Sequence, residues 1–216
     1  MELKDFRRQY TQGGLRRAAL PHEPWALFEK WQADAAEAGL ADPTGCVVAT
    51  VQPNGMVRQR FVLLKGVDDR GFVFYTNYNS DKAAGLAHCD QASMLFPWNE
   101  LDRQVSVSGR VQKVADDESD RYFAARPRAS QIAAWTSQQS QNIESRAALE
   151  KQFQDTVARF EGGDVPRPPH WGGYRLRPSR IEFWQGGSDR LHDRFVYTLE
   201  DSERSSESWR LLRLQP

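Results

Sequence analysis

The spacing of apolar residues changes repeatedly along the chain, and each change marks a new element. Residues 1–20 are polar and basic, carrying Arg7, Arg8, Tyr10, Gly13, Gly14, Arg16 and Arg17 with no amphipathic pattern, which reads as a mobile arm or lid. From Pro24 the period is helical: Pro suits a first turn, and Trp25, Phe28 and Trp31 recur on one face until Gly39. Asp42-Pro43-Thr44-Gly45 is a turn, after which the period shortens. Val47–Val51 predicts a strand, Pro53-Asn54-Gly55 a hairpin, and Phe61–Leu64 the returning strand. Asp68-Asp69-Arg70-Gly71 then turns the chain into Phe72–Tyr75. Ser80 is placed to cap a short helix through Ala87, and Ser93–Phe96 and Val105–Val111 supply two more strands. Residues 116–160 return to helical spacing, with Asp116 or Asp117 as caps, a break at Arg126-Pro127-Arg128, and a longer helix from about Ile143 to Phe160. Gly162–Pro169 is a loop, and Trp171 to Pro216 is again strand-like.

Closely spaced strands joined by tight turns predict a mostly β fold with peripheral helices, a barrel or sandwich. There is no internal repeat and no linker of domain length, so the expected organisation is an arm over 1–20 and one domain over 21–216. Continuous apolar runs in the strands suit cover on both faces, by the barrel interior and by a second packing partner, which hints at a dimer.

Charge narrows the function. Lys and Arg number 29 and Asp and Glu 29, so the net charge of zero argues against generic attraction to nucleic acid or membrane. No apolar run approaches the ~20 residues of a membrane span, and the N-terminus lacks a signal-peptide core, so a cytoplasmic protein is expected. Cys46 and Cys89 have no metal-type spacing and predict no disulfide framework. Arg far outnumbers Lys, and a planar guanidinium fork suits phosphate or carboxylate.

Four segments combine cations with aromatics or hydroxyls. Across residues 58–65, Arg58 and Arg60 share one face of a strand, with Lys65 on the other unless the strand breaks; an exposed edge would carry the same pattern. Tyr75-Thr76-Asn77 followed by Ser80-Asp81-Lys82 delivers a hydroxyl, a Lys and backbone N–H groups to a helix start, a good anion site. Tyr122, Arg126, Arg128 and Ser130 could grip a second phosphate or form a solvated helix end. The densest segment runs from Ile181 through Trp184, Gly186 and Gly187 to Arg190, His192 and Arg194. On one strand these last three would share a face and repel unless a ligand or carboxylates compensated them; a salt-bridge ladder is the alternative. No Ser/His/Asp ordering, carboxylate pair or metal-ligand cluster stands out, and no metal is expected. These residues suit a nucleotide-like cofactor and a small phosphorylated substrate.

The same segments resemble the pyridoxine 5′-phosphate oxidase family over nearly the whole chain. The resemblance is carried by Arg7-Arg8-Gln9-Tyr10-Thr11, Gln59-Arg60 through Lys65, Phe74–Asn77, Leu95–Trp98, Arg103-Gln104-Val105, Arg126 through Trp135, Trp171-Gly172-Gly173 and Glu182 through Arg194. It implies a homodimeric split β-barrel holding flavin mononucleotide (FMN) at the subunit interface. The implied flavin contacts are Arg60, Val62, Leu63, Leu64, Lys65, Tyr75, Thr76, Lys82, Gln139 and Ser140, with Gln104, Trp184 and Arg194 around the ring system. Lys65, Tyr122, Arg126 and Ser130 would hold the substrate phosphate, Arg190 and His192 would sit over the pyridine ring as the catalytic pair, and Arg7 and Tyr10 would close as a lid. One departure stands out: family members commonly carry Arg before the flavin-phosphate Lys, where this chain has Asp81. A carboxylate beside a phosphate is unfavourable, so weakened flavin binding or a compensating Arg is expected.

The implied reaction oxidises pyridoxine 5′-phosphate or pyridoxamine 5′-phosphate to pyridoxal 5′-phosphate, with O2 as acceptor and hydrogen peroxide as product. Arg190, always protonated, would orient rather than act as base. Two rivals stand beside this reading: a related split-barrel flavoenzyme, such as a phenazine-pathway oxidase or flavin reductase, and a non-catalytic flavin or pyridoxal-phosphate carrier.

Overall fold

The computed structural model describes residues 9–10, 14–200 and 208–216. Among these residues, nine strands form one curled sheet: β1 (Gly45–Val51), β2 (Val57–Leu63), β3 (Gly66–Asp68), β4 (Gly71–Asn77), β5 (Gln91–Trp98), β6 (Arg103–Lys113), β7 (Trp171–Gln185), β8 (Asp193–Glu200) and β9 (Ser208–Leu214). The order is β2-β1-β5-β6-β7-β4-β3, with β8 and β9 continuing from β7. All the pairings are antiparallel. The long β7 organises the sheet: its first part pairs with β4, its last part with β8, and β6 runs along most of its length. A register shift at Ser108/Gly109 bends the β6–β7 ladder. There a side chain on Gly109 would collide with the Arg177 carbonyl at 1.9 Å.

The helix α1 (Pro24–Glu37) fills the curl. Its apolar face buries Leu27, Phe28, Trp31 and Ala35. Phe28 stands edge-on to Phe72 and Phe96 at 4.9 and 5.0 Å, and Trp31 meets Phe183 at 5.3 Å. Each fully buried aromatic of this kind contributes about 1.5–3 kcal/mol by leaving water, so the barrel interior is packed core. A second, smaller core joins Phe123, Ile132, Ala134, Val165 and Trp171 beneath α3 (Asp116–Ala124), α4 (Arg128–Thr136) and α5 (Arg146–Arg159). This helical layer lies against the start of β7 and walls a cleft beside the barrel.

The predicted elements appear with shifted ends. The hairpin turns at Pro53–Gly55, where Gly55 takes φ +80°. α2 (Asp81–His88) forms where expected, but the Ser80 hydroxyl donates to the Asn77 carbonyl (2.7 Å) rather than capping the helix. Ala115, not an Asp, precedes α3, and Asp116 and Asp117 sit in its first turn, where they complement the helix dipole. α5 starts at Arg146 because Ser145 caps it by accepting from the Ala148 N–H (3.1 Å). No helix among the described residues is long and apolar enough to cross a membrane.

Candidate active site

A cleft of about 750 Å³ opens between the end of β2, the end of β4, the start of α2 and the α3–α4 layer. Its wall holds Arg60, Lys65, Lys82 and Arg126 and, among the described residues, no Asp or Glu. That size is ordinary for a small-molecule site, roughly 300–1,000 Å³. The uncompensated charge is not ordinary, because buried cations are costly unless something pairs them.

Local folding explains how the cations converge. β4 ends at Thr76 and Asn77, and Asn77 accepts from the backbone N–H groups of Asn79 (2.7 Å) and Ser80 (3.2 Å), forming the tight turn into α2. The turn buries Lys82 in the first helical turn. Its ammonium donates to Gln139 Oε1 (2.7 Å), Thr76 Oγ1 (3.0 Å) and Ser80 Oγ (3.4 Å). All three partners are neutral. Burial first, and the nearby Arg60 second, pull the Lys82 pKa down to about 8, with Asp81 opposing. Arg60, on β2, donates to the Val48 carbonyl (3.1 Å) and Thr50 Oγ1 (2.9 Å), and burial likewise lowers its pKa.

The other end of the cleft is built on aromatics. Tyr75 and Tyr122 stack at 3.9 Å, Trp171 lies nearly parallel 5.4 Å from Tyr75, and the Arg126 guanidinium sits 4.5 Å over Trp171. Arg126 Nη1 is buried with no hydrogen-bond partner. An orphaned guanidinium nitrogen facing an acid-free cleft fits an anionic ligand, for which Ser130 and Tyr122 offer hydroxyls from the same wall. Burial raises the Tyr122 hydroxyl's pKa, so it stays a neutral donor.

The expected residues distribute as follows. Arg60, Val62, Leu63, Lys65, Tyr75, Thr76, Lys82, Tyr122, Arg126, Ser130 and Gln139 all line the cleft. Lys65 joins Arg60 there because β2 stops at Leu63 and the chain re-enters the sheet at β3, which releases Lys65 from strand alternation. Leu64 is buried in the core instead, and Ser140, with φ +71°, accepts from the Asp81 N–H (3.2 Å) next to the cleft. Arg128 does not face the cleft: it donates to the carbonyls of Phe160 (2.6 Å) and Gly163 (2.8 Å), tying α4 to the end of α5. Trp171 and Asn77 also line the cleft; neither is among the implied contacts, though Asn77 belongs to the predicted anion site and Trp171 to the Trp171-Gly172-Gly173 motif.

Gln104, Trp184, Arg190, His192 and Arg194 lie outside this cleft, around the end of β7 and the start of β8. Tyr10 packs edge-on against Trp184 (5.5 Å) and His192 (5.3 Å), and a side chain at Gly186 would strike its ring at 2.7 Å. His192 Nδ1 accepts from the Gly187 N–H (3.1 Å). Gln104 faces Trp184 across the β6–β7 ladder. The three-residue alternation on one strand does not occur: Arg190 sits in a 3₁₀ turn at φ +65°, and β8 begins only at Asp193. Compensation comes from carboxylates, as Arg194 Nε donates to Glu182 (2.7 Å), which also accepts from Arg180 (2.6 Å). Burial would raise the Glu182 pKa, but those two bonds outweigh it and hold the carboxyl below its ordinary value. Asp81, the unexpected carboxylate, ion-pairs with Arg58 on β2. Arg7 lies outside the described residues.

Comparison with known proteins accounts for this arrangement. Residues 33–159 match the family described as Pyridoxamine 5′-phosphate oxidase, and residues 171–216 match Pyridoxine 5′-phosphate oxidase C-terminal dimerisation region. A relative from Aeromonas hydrophila subsp. hydrophila named Pyridoxine/pyridoxamine 5′-phosphate oxidase is 54% identical over 216 residues, covering 100% of both chains. One of the same name from Shewanella oneidensis is 52% identical over 215 residues, covering 100% of this chain and 99% of its own. Among solved structures, PhzG from Burkholderia lata 383 in complex with tetrahydrophenazine-1-carboxylic acid superposes with a TM-score of 0.85 at 32% identity, covering 92% of this chain and 95% of that one. A pyridoxamine 5′-phosphate oxidase-related, FMN binding protein from Nostoc punctiforme shares the fold at TM-score 0.70 and 16% identity, covering 91% and 100%. With a family match across most of the sheet and the helical layer, and full-length relatives above half identity, this split-barrel chain belongs to the pyridoxamine 5′-phosphate oxidase family.

Proposed function

We propose that this chain binds FMN and oxidises pyridoxine 5′-phosphate or pyridoxamine 5′-phosphate to pyridoxal 5′-phosphate, using dioxygen and releasing hydrogen peroxide. The observation that carries the reading is the acid-free cleft with cations grouped at two ends. Arg60 and Lys82, with Thr76 and Gln139, suit the flavin phosphate, with Ser140 next to them. Lys65, Tyr122, Arg126 and Ser130 suit the substrate phosphate. When bound there, FMN would supply the two-electron redox chemistry of the reaction.

The protein's part is binding and orientation. The stacked wall of Tyr75, Tyr122 and Trp171 fixes Arg126 over a flat apolar surface, so its free N–H group meets a phosphate without first reorganising. His192 is held by the Gly187 N–H and boxed by Tyr10 and Trp184, which leaves its other ring nitrogen to hydrogen-bond or pass a proton at a pyridine substituent. Arg190, exposed and cationic, orients substrate, and Tyr10, packed on Trp184 and His192, covers the site.

Two copies complete the site in this reading. The Trp184–His192–Arg194 cluster does not line the cleft within one chain, and it lies in the region matching the family's dimerisation region. We assign it to the cleft of a partner subunit in a homodimer. A phenazine-type substrate is the second reading, favoured by the likeness to PhzG; the second set of phosphate donors around Arg126 weighs against it. The test is a visible spectrum of the purified protein followed by pyridoxine 5′-phosphate in air. Yellow protein that forms peroxide and pyridoxal 5′-phosphate supports the reading. Yellow protein without turnover moves it to the phenazine-type enzyme or a carrier.

A further inference from the structure

Around the phosphate end of the cleft, one carboxylate acts on the cations. Asp81 is the first residue of α2, directly before Lys82, and its charge bears on both Lys82 and Arg60. Left alone, it would repel any phosphate that Lys82 and Arg60 attract. It is not alone, because Arg58 reaches from β2 and pairs with it. Arg58 lies two residues from Arg60 on the same strand face, outside the wall of the cleft, and its guanidinium is more than half exposed. An exposed ion pair adds little to folding stability, so the pair's consequence lies in the local field.

We propose that Arg58 is an electrostatic gate for the cofactor: by neutralising Asp81 it lets the Arg60–Lys82 end of the cleft accept the flavin phosphate. Arg58 is a positioning residue acting through Asp81 and touches no phosphate itself. The proposal rests on the FMN reading above. It predicts an order of affinities that a directly phosphate-binding Arg58 would not give. Removing Arg58 exposes the Asp81 charge and weakens FMN binding. Removing Asp81 as well abolishes the reason for Arg58, so affinity returns. Removing Asp81 alone leaves an extra cation near the phosphate, so FMN binds more tightly than to the unaltered protein.

The experiment titrates the full-length protein, stripped of flavin, with FMN and with riboflavin, which has no phosphate, following flavin fluorescence. Arg58→Ala should lose FMN affinity on the order of tenfold, the effect of a charge pair worth about 1.4 kcal/mol, while riboflavin affinity stays constant. Arg58→Lys should retain FMN affinity. Arg58→Ala combined with Asp81→Ala should return to within about twofold of the unaltered protein, less than the 1.4 kcal/mol that a tenfold change represents. A double variant as weak as Arg58→Ala would overturn the proposal, because Arg58 would then be gripping phosphate directly. Equal losses for FMN and riboflavin would also overturn it. Should Arg58→Ala not fold, Asp81→Ala decides: unchanged or weaker FMN binding refutes the gate. Failure of the unaltered protein to bind FMN would overturn the cofactor reading and the gate together, whereas normal binding with an indifferent Arg58→Ala removes the gate alone.

Discussion

Two arginine-rich regions of this molecule look alike in sequence and differ in structure. In the cleft, Lys82 is buried and Arg60 and Arg126 partly so; they bond to neutral partners or none, and burial lowers their pKa values. Around β8, Arg180 and Arg194 share Glu182, and Arg213 pairs with Asp193. Among the described residues no carboxylate bonds to the first set, and the nearby Asp81 is taken up by Arg58, which leaves their charge for a ligand. In the second, each of the three arginines is held by one of two carboxylates, and the pairs fix geometry. Clustering of Arg with aromatics therefore marks neither role by itself; what separates them is whether a carboxylate is within reach.

The contrast yields predictions of decreasing size. Lys82→Met removes the most desolvated cation and should lower FMN affinity by about 100-fold, matching a charged hydrogen bond worth up to ~3 kcal/mol; flavin fluorescence titration reads it. Arg126→Ala should raise the KM for pyridoxine 5′-phosphate by about 10- to 100-fold with a smaller change in kcat, because the proposed phosphate contact would be made equally in ground and transition states. Arg190→Ala should do the reverse, lowering kcat more than it raises KM, and steady-state kinetics separates the two.

The pH dependence follows from Lys82. Its pKa in the free protein is about 8, and a bound phosphate dianion favours its charged form. Below that pH the ammonium is ready; above it, binding must take up a proton. FMN affinity should therefore fall as pH rises above about 8, by up to about tenfold per unit, while riboflavin affinity shows no such fall. The smallest effect on ligand is expected from the paired region: Glu182→Gln should destabilise the fold by about 1–3 kcal/mol, read as a lowered Tm, with FMN affinity changing far less than in Lys82→Met.

Much of this was legible in the sequence for definite reasons. Period-two alternation and tight-turn residues located the strands, and the Trp25, Phe28 and Trp31 spacing located α1, because burial of one face leaves that imprint. Helix starts were less legible: the Ser80 hydroxyl bonds back to Asn77, and α3 follows Ala115, so neither expected side-chain cap forms. The motifs point to residues from Arg60 to Gln139 that line the cleft, but not to how they converge. Lys65 shares a wall with Arg60 because β2 ends early, and Arg128 leaves the cluster because two carbonyls at the end of α5 claim it. The one-face reading of Arg190, His192 and Arg194 failed because the chain turns through positive φ at Asp189 and Arg190 before β8 starts. The Arg58–Asp81 pair joins residues 23 apart in sequence, a contact that no local pattern encodes.

The central claim is that one cleft holds two phosphates on separate groups of cations. A crystal structure of the protein with FMN and pyridoxal 5′-phosphate tests it most directly. The account predicts one phosphate against Arg60 and Lys82, the other against Lys65, Tyr122, Arg126 and Ser130, with Trp184 and His192 of a second subunit closing the site. Either phosphate seated instead among the Glu182-paired arginines, or a site completed within a single chain, would contradict it.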